Sequence, residues 1–151
     1  MRIVGIDPGW SGGVATLNER GEVEVVASFT KMTEKDILRA MLMACEGADV
    51  VYIEKVHAMP GQGVTSMFKF GQIYGMLRMI VLAMSVPMHD VTPQTWQKKL
   101  SCRTGGDKNV TKSLAQQWWP DTKITHGNAD ALLIAEYGRL VQMGNPIVFM
   151  E

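Results

Sequence analysis

Arg2-Ile3-Val4-Gly5-Ile6-Asp7-Pro8-Gly9 is the stretch on which the reading of this chain turns. Ile3, Val4, Gly5 and Ile6 have strand character and run straight into an acid, after which Pro8-Gly9 breaks the strand. An apolar run of this kind reads as a central buried strand. A lone carboxylate at its end is costly unless a metal ion or a cation partners it. Two later acids repeat the anomaly. Glu54 ends the apolar run Val50-Val51-Tyr52-Ile53, and Asp130 sits in Asn128-Ala129-Asp130-Ala131-Leu132-Leu133-Ile134-Ala135. Three carboxylates thus fall on three core-facing elements.

Working outward, residues 2–7 form the first strand and Gly13 to Leu17 the second. Glu22 to Phe29 alternates as a half-buried third strand should. Short turns join these three, which predicts an antiparallel meander. Thr33 caps a helix with Asp36 three residues on, Ile37, Leu38, Met41, Leu42 and Cys45 give it an apolar face, and Gly47 ends it. The strand Asp49–Lys55 follows that crossover and is expected parallel to the first. A glycine-rich loop, Pro60-Gly61-Gln62-Gly63, leads to a long helix over Thr65–Met84. Val86–Val91 is a fifth strand. Thr92 and Pro93 open a short helix through Trp96 to Leu100, and a polar loop spans Ser101–Lys108. Val110–Trp118 is a helix stopped by Pro120, with Trp118 and Trp119 read as packing residues. The last helix is expected from about Asn128 to Met143, which leaves His126 in the preceding loop. The expected fold is α/β, with a mixed five-stranded sheet flanked by helices.

The 151 residues suit a single domain, 1–151. No stretch has the length and apolarity of a membrane span, and the N-terminal strand is no signal sequence. Cys45 and Cys102 lack metal-ligand spacing and read as free thiols of a reducing cytoplasm. Net charge is zero, yet residues 55–120 hold eight cations and two anions. That asymmetry predicts a positive face suited to a phosphate backbone.

Asp7 and Glu54 end adjacent strands at the edge where open sheets build their sites, and the last helix can bring Asp130 to the same place. Separated carboxylates suit Mg²⁺ or Mn²⁺ rather than zinc. Two such ions would activate a water and stabilise the leaving oxygen of a phosphodiester.

Gly5-Ile6-Asp7-Pro8-Gly9, then Ile53-Glu54 with its Gly-Gln-Gly loop and long helix, then Ala129-Asp130-Ala131-Leu132, resembles the RuvC family of Holliday junction resolvases. The resemblance covers nearly the whole chain, and the wording from Gly127 to Tyr137 is most similar to bacteriophage or prophage members. It implies an RNase H-like fold and an endonuclease that needs Mg²⁺, with Mn²⁺ able to substitute. Such an enzyme cuts four-way DNA junctions by paired symmetric nicks and leaves 5′ phosphates. It also implies a fourth metal group before Asp130, usually an Asp or His, and His126 is the best match. A His there could ligate metal or carry a proton.

His57 stands three residues after Glu54, where similar resolvases carry a base-stacking aromatic; it stacks on a base or is a solvated loop residue. Gly61, Gln62 and Gly63 either let backbone approach DNA or form a flexible connector. Lys98, Lys99, Lys108 and Lys112 fall where the family is basic and are candidate phosphate contacts, Lys108 and Lys112 at helical spacing. The long helix Thr65–Met84 is apolar around much of its girth, with Phe68 and Phe70 read as core or interface residues. It is expected to bury a second side in a homodimer, whose two sites would serve two cuts. Two other readings stay open. One is a broader nuclease for flaps, forks or RNA–DNA hybrids on the same fold, and the other is a non-catalytic junction-binding module. An actin-like nucleotide-binding half would need further phosphate loops and a second domain.

Overall fold

Ile3, Val4, Gly5 and Ile6 are all buried, so strand β1 (Arg2–Asp7) must be covered on both faces. The computed structural model describes residues 1–148, with side chains as far as Gly144. In it β1 is the middle of a five-stranded sheet, flanked by β2 (Gly13–Asn18) and β4 (Val50–Glu54), with β3 (Val23–Ser28) and β5 (Met88–Val91) at the edges in the order β3-β2-β1-β4-β5. β1 runs antiparallel to β2 and parallel to β4, and β5 continues the parallel half. The meander followed by parallel strands is therefore as the sequence predicts. The third strand differs: it is two residues shorter than expected, and every residue but Glu24 is partly buried, without a clean alternation. A register shift at Thr16/Leu17 disturbs the pairing of this edge strand.

The period of two sorts the sheet into two cores. Val4 and Ile6 point with Val51 and Ile53 toward helices α1 (Glu34–Cys45) and α2 (Val64–Ala83), where Ile37, Met41, Ile73 and Leu77 are completely buried. Ile3 points with Val50 and Tyr52 toward the other layer, built from α3 (Pro93–Lys99), α4 (Asn109–Trp118) and α5 (His126–Val148). The expected capping box of α1 is present, Thr33 and Asp36 bonding reciprocally. Thr92 caps α3 with Pro93 in its first turn. No helix among the described residues is long and apolar enough to cross a membrane.

The last helix departs from expectation at both ends. It begins at His126, not near Asn128, because Thr125 and Asn128 form a reciprocal cap. Asn128 N donates to Thr125 Oγ1 at 3.2 Å, and Thr125 N donates to Asn128 Oδ1 at 2.9 Å. The Asn128 amide also holds Lys123 O at 3.0 Å. Gly127, read from sequence as a loop residue, is instead buried where any Cβ would strike the Ser28 side chain. At the other end the helix runs to Val148, past the expected Met143. Residues 149–151 of the expected tail lie outside the described residues.

Helix α5 lies very close to β1 because Gly5 has no side chain. A Cβ on Gly5 would collide with Ala131 O and Ala135 N, both backbone atoms that cannot rotate away. Gly5→Ala is expected to cost about 3 kcal/mol through overpacking. This lowers Tm by roughly 6–12 °C for a chain of this size, as a thermal melt followed by circular dichroism would read.

Candidate active site

The alternation that sends Ile3 and Gly5 toward α5 sends Asp7 to the same side at the C-terminal end of β1. Glu54 follows from Val50 and Tyr52 in the same way on β4. The strands are in register at Ile6–Ile53, so Asp7 and Glu54 stand one step further along adjacent parallel strands. Asp130 comes from above, one residue before the Ala131 that rests on Gly5. All three are partly buried. The structure thus brings together the three acids singled out from the sequence.

Their charges act on one another. Burial raises the Asp7 carboxyl well above the usual range, and the charges of Glu54 and Asp130 raise it further. Burial raises Glu54 to about 7, opposed by a hydrogen bond from Trp96 and assisted by Asp130. Asp130 is raised by burial and lowered by the Thr111 hydroxyl, Lys108 and His126. Thr111 itself is buried, and its hydroxyl donates to Lys108 O at 3.2 Å. Asp130 Oδ1 is buried with no hydrogen-bond partner. A buried carboxylate oxygen left in that condition is a strong acceptor for a cation.

Among the described residues no three His, Cys, Asp or Glu side chains are placed so that together they could hold a metal ion. The donor set nonetheless fits a hard divalent cation. It consists of carboxylate oxygens on three rigid elements, mutually repelling, with one of them orphaned. His126 is exposed at the first turn of α5, and its charge reaches Asp130 one turn later. It therefore has a place beside the acids that a loop position would not have guaranteed.

The lysines divide. Lys108, at the N-cap of α4, lowers the pKa of Asp7, Glu54 and Asp130 alike. Lys112 is half-buried one turn on, its N–H bonded to Lys108 O at 3.3 Å. Lys98 and Lys99 are exposed in the last turn of α3 and are not among the charges that shift the three acids.

Two clefts open just beyond Glu54, and His57 lines both. One, about 400 Å³, lies between Lys55 and the Thr92-Pro93-Gln94 start of α3. The other, about 250 Å³, is bounded by Gln62, Ser66, Met67 and Phe70. Gln62 contributes less than its sequence position suggests, since its Oε1 is taken by Met59 N at 2.7 Å and only its NH₂ is left. Phe68 is 70% exposed on the second turn of α2, outside the core.

Three residues escaped the sequence reading. Trp96 is fully buried and donates from Nε1 to Glu54 Oε2 at 2.7 Å. Its signal was a tryptophan in an otherwise polar helix. Thr111 carried no local signal, because only tertiary packing sets it against Asp130. Thr125 could have been found from Thr-x-x-Asn ahead of an apolar run.

A β3-β2-β1-β4-β5 sheet between helices, with acids ending β1 and β4 and a third on the last helix, defines an RNase H-like fold. RuvC is one of the solved forms of that fold to which the chain is similar. A Thermus thermophilus RuvC in complex with a Holliday junction substrate matches with a TM-score of 0.69 at 17% identity, over 95% of this chain and 97% of that one. A second T. thermophilus RuvC structure matches with 0.64 at 18% identity, over the same shares. The fowlpox virus Holliday junction resolvase matches with 0.55 at 14% identity, over 93% and 99%. No family model matches the chain, and no curated protein matches it in sequence.

Proposed function

We propose that this protein is a divalent-metal-dependent endonuclease of one domain that resolves four-way DNA junctions by paired symmetric nicks. One observation carries the reading: three partly buried, mutually repelling carboxylates converge at one sheet edge, in a fold shared with a RuvC bound to such a junction. Asp7, Glu54 and Asp130 would hold Mg²⁺, or Mn²⁺ in its place, with His126 beside Asp130. The bound cation supplies an activated water and stabilises the leaving oxygen of the phosphodiester.

The chain's own groups do the rest. Lys108 faces the acids and meets the phosphate that comes to them. His57 and the exposed Phe68 offer flat faces to unpaired bases near the branch point. The Gln62 amide and the lysines at 98, 99 and 112 contact backbone further out, so recognition is by shape and weakens with salt. Trp10, whose Nε1 donates to Lys69 O at 2.9 Å, ties the turn after Asp7 to α2. The work belongs to a cytoplasmic compartment.

Paired cutting needs two sites, and α2 supplies the contact for a homodimer. Only Ile73, Leu77 and Val81 of this helix are buried, while Met79 is 63% and Leu82 58% exposed. Met79 and Leu38 of α1 border a groove of about 630 Å³ that also takes in Met76, Ile80 and Ala83. Met79→Glu is expected to give a folded monomer in analytical ultracentrifugation that makes single, uncoupled nicks.

The test is strand cleavage of mobile and immobile four-way junctions in Mg²⁺ and Mn²⁺, beside flaps and forks. Symmetric paired nicks support the proposal. Equal cutting of flaps and forks keeps the nuclease and removes junction selectivity. Tight binding with no nicks in either metal would make the protein a junction-binding module.

A further inference from the structure

Trp96 sits where no chemistry was expected of it. β5 pairs with β4 so that Val91 lies opposite Glu54. Thr92 then caps α3, and one turn later Trp96 turns its indole back beneath the strand end. The ring is completely buried, and its Nε1 donates to Glu54 Oε2 at 2.7 Å across 42 residues of sequence.

A buried indole must find some acceptor, so the bond could be no more than that. The other tryptophans argue otherwise. Trp10 donates to the backbone carbonyl of Lys69 and Trp119 to that of Gly21. Trp96 alone among these three donates to an ionisable side chain, and that side chain is one of the three converging acids. We propose that Trp96 is a positioning residue that holds Oε2 of Glu54 and so presents Oε1 to the metal.

Several features make the arrangement suitable. Glu54 has three rotatable bonds, whereas the indole is locked by the core. With Oε2 held, the carboxylate cannot swing toward the clefts by His57 without giving up the bond. Outer hydrogen bonds of this kind typically change metal affinity 10- to 100-fold. The assignment rests on the metal-binding reading of Glu54, and its test separates the two.

The clean probe is replacement of Trp96 by 3-benzothienylalanine, which keeps the ring's shape and substitutes sulfur for the N–H. 5-Fluorotryptophan at the same position retains the N–H and serves as the rescue. Mn²⁺ affinity is read by calorimetry and by the electron paramagnetic resonance of free Mn²⁺. Fold is read by circular dichroism and junction binding in EDTA by gel shift. The expected result for the sulfur analogue is wild-type fold and EDTA binding, with Mn²⁺ affinity reduced 10- to 100-fold and cleavage restored by excess Mn²⁺. The fluorinated protein should bind Mn²⁺ as wild type does.

Unchanged Mn²⁺ affinity in the folded sulfur analogue overturns the assignment, as do equal losses in both analogues. Wild-type protein that binds no Mn²⁺ overturns the metal reading and this one together. Wild-type protein whose Mn²⁺ affinity depends on the N–H, but which cuts no branched DNA, overturns junction cleavage and leaves Trp96 confirmed as a positioning residue.

Discussion

Asp7→Asn is expected to abolish strand cleavage, with a fall of at least about 10³-fold, while junction binding in EDTA changes less than about threefold. The first figure follows if the Asp7 charge contributes roughly 4 kcal/mol to the transition state through the cation it would hold. Asn keeps the size and loses the charge, so the β1 end and the approach of α5 through Ala131 are undisturbed. In the proposed function DNA affinity would come from groups elsewhere, Lys108 foremost, and losing a neighbouring anion would not weaken them. Cleavage and gel-shift titrations on one four-way junction check both halves. Retained cleavage would remove Asp7 from the metal set and leave the role of the site to be found elsewhere.

The second large effect concerns stability without metal, and its sign is opposite to that of most buried-group substitutions. Glu54 is raised from 4.5 to about 7, chiefly by burial, and Asp7 and Asp130 are raised as well. A carboxyl whose folded pKa lies above its unfolded value binds its proton more tightly in the folded state. Its contribution is fully present below the unfolded pKa and is lost as pH rises through the folded one. The metal-free protein should therefore weaken between about pH 4 and pH 8. Glu54 alone accounts for about 3 kcal/mol of that loss, or about 6–12 °C in Tm. Glu54→Gln, whose amide oxygen can still accept from Trp96, should flatten the pH dependence and raise Tm at pH 8. Millimolar Mg²⁺ or Mn²⁺ should restore the wild type at pH 8 and leave Glu54→Gln nearly unmoved. Melts in EDTA and in metal at pH 5.5 and pH 8 read all of this. A wild type whose Tm does not respond to metal at pH 8 would count against the three acids as its ligands.

A protein that repels itself at the site where it is proposed to work has given up stability for function. Gly5 belongs to the same economy. It lets α5 settle on β1, and the closeness of that helix is what brings Asp130 near Asp7. The groove between α1 and α2 lies on the other layer, beyond the sheet. A dimer formed there leaves both acidic edges free for DNA.

Local pattern alone determined a good deal. The unalternating run Ile3 to Ile6 marked the central strand, and an acid at its end marked the site, because both signals are set by burial and need no partner to be seen. Thr33 with Asp36, and Thr92 with Pro93, placed helix starts for the same reason: a cap is chemistry among four consecutive residues. Where the pattern was ambiguous, tertiary contact decided. Gly127 looks like a loop residue, but it is a helical contact against Ser28, and so His126 joins the helix that carries Asp130. Gln62 looks free for DNA, yet its carbonyl closes a turn on Met59. The bond from Trp96 to Glu54 spans 42 residues and two elements, and no periodicity reports a hydrogen bond between distant side chains. The sequence by itself determined which elements form and which acids are out of place in them. Only the tertiary structure decided which side chains hold those acids, because that depends on how closely helices pack on the sheet, and a missing Cβ at Gly5 sets that distance.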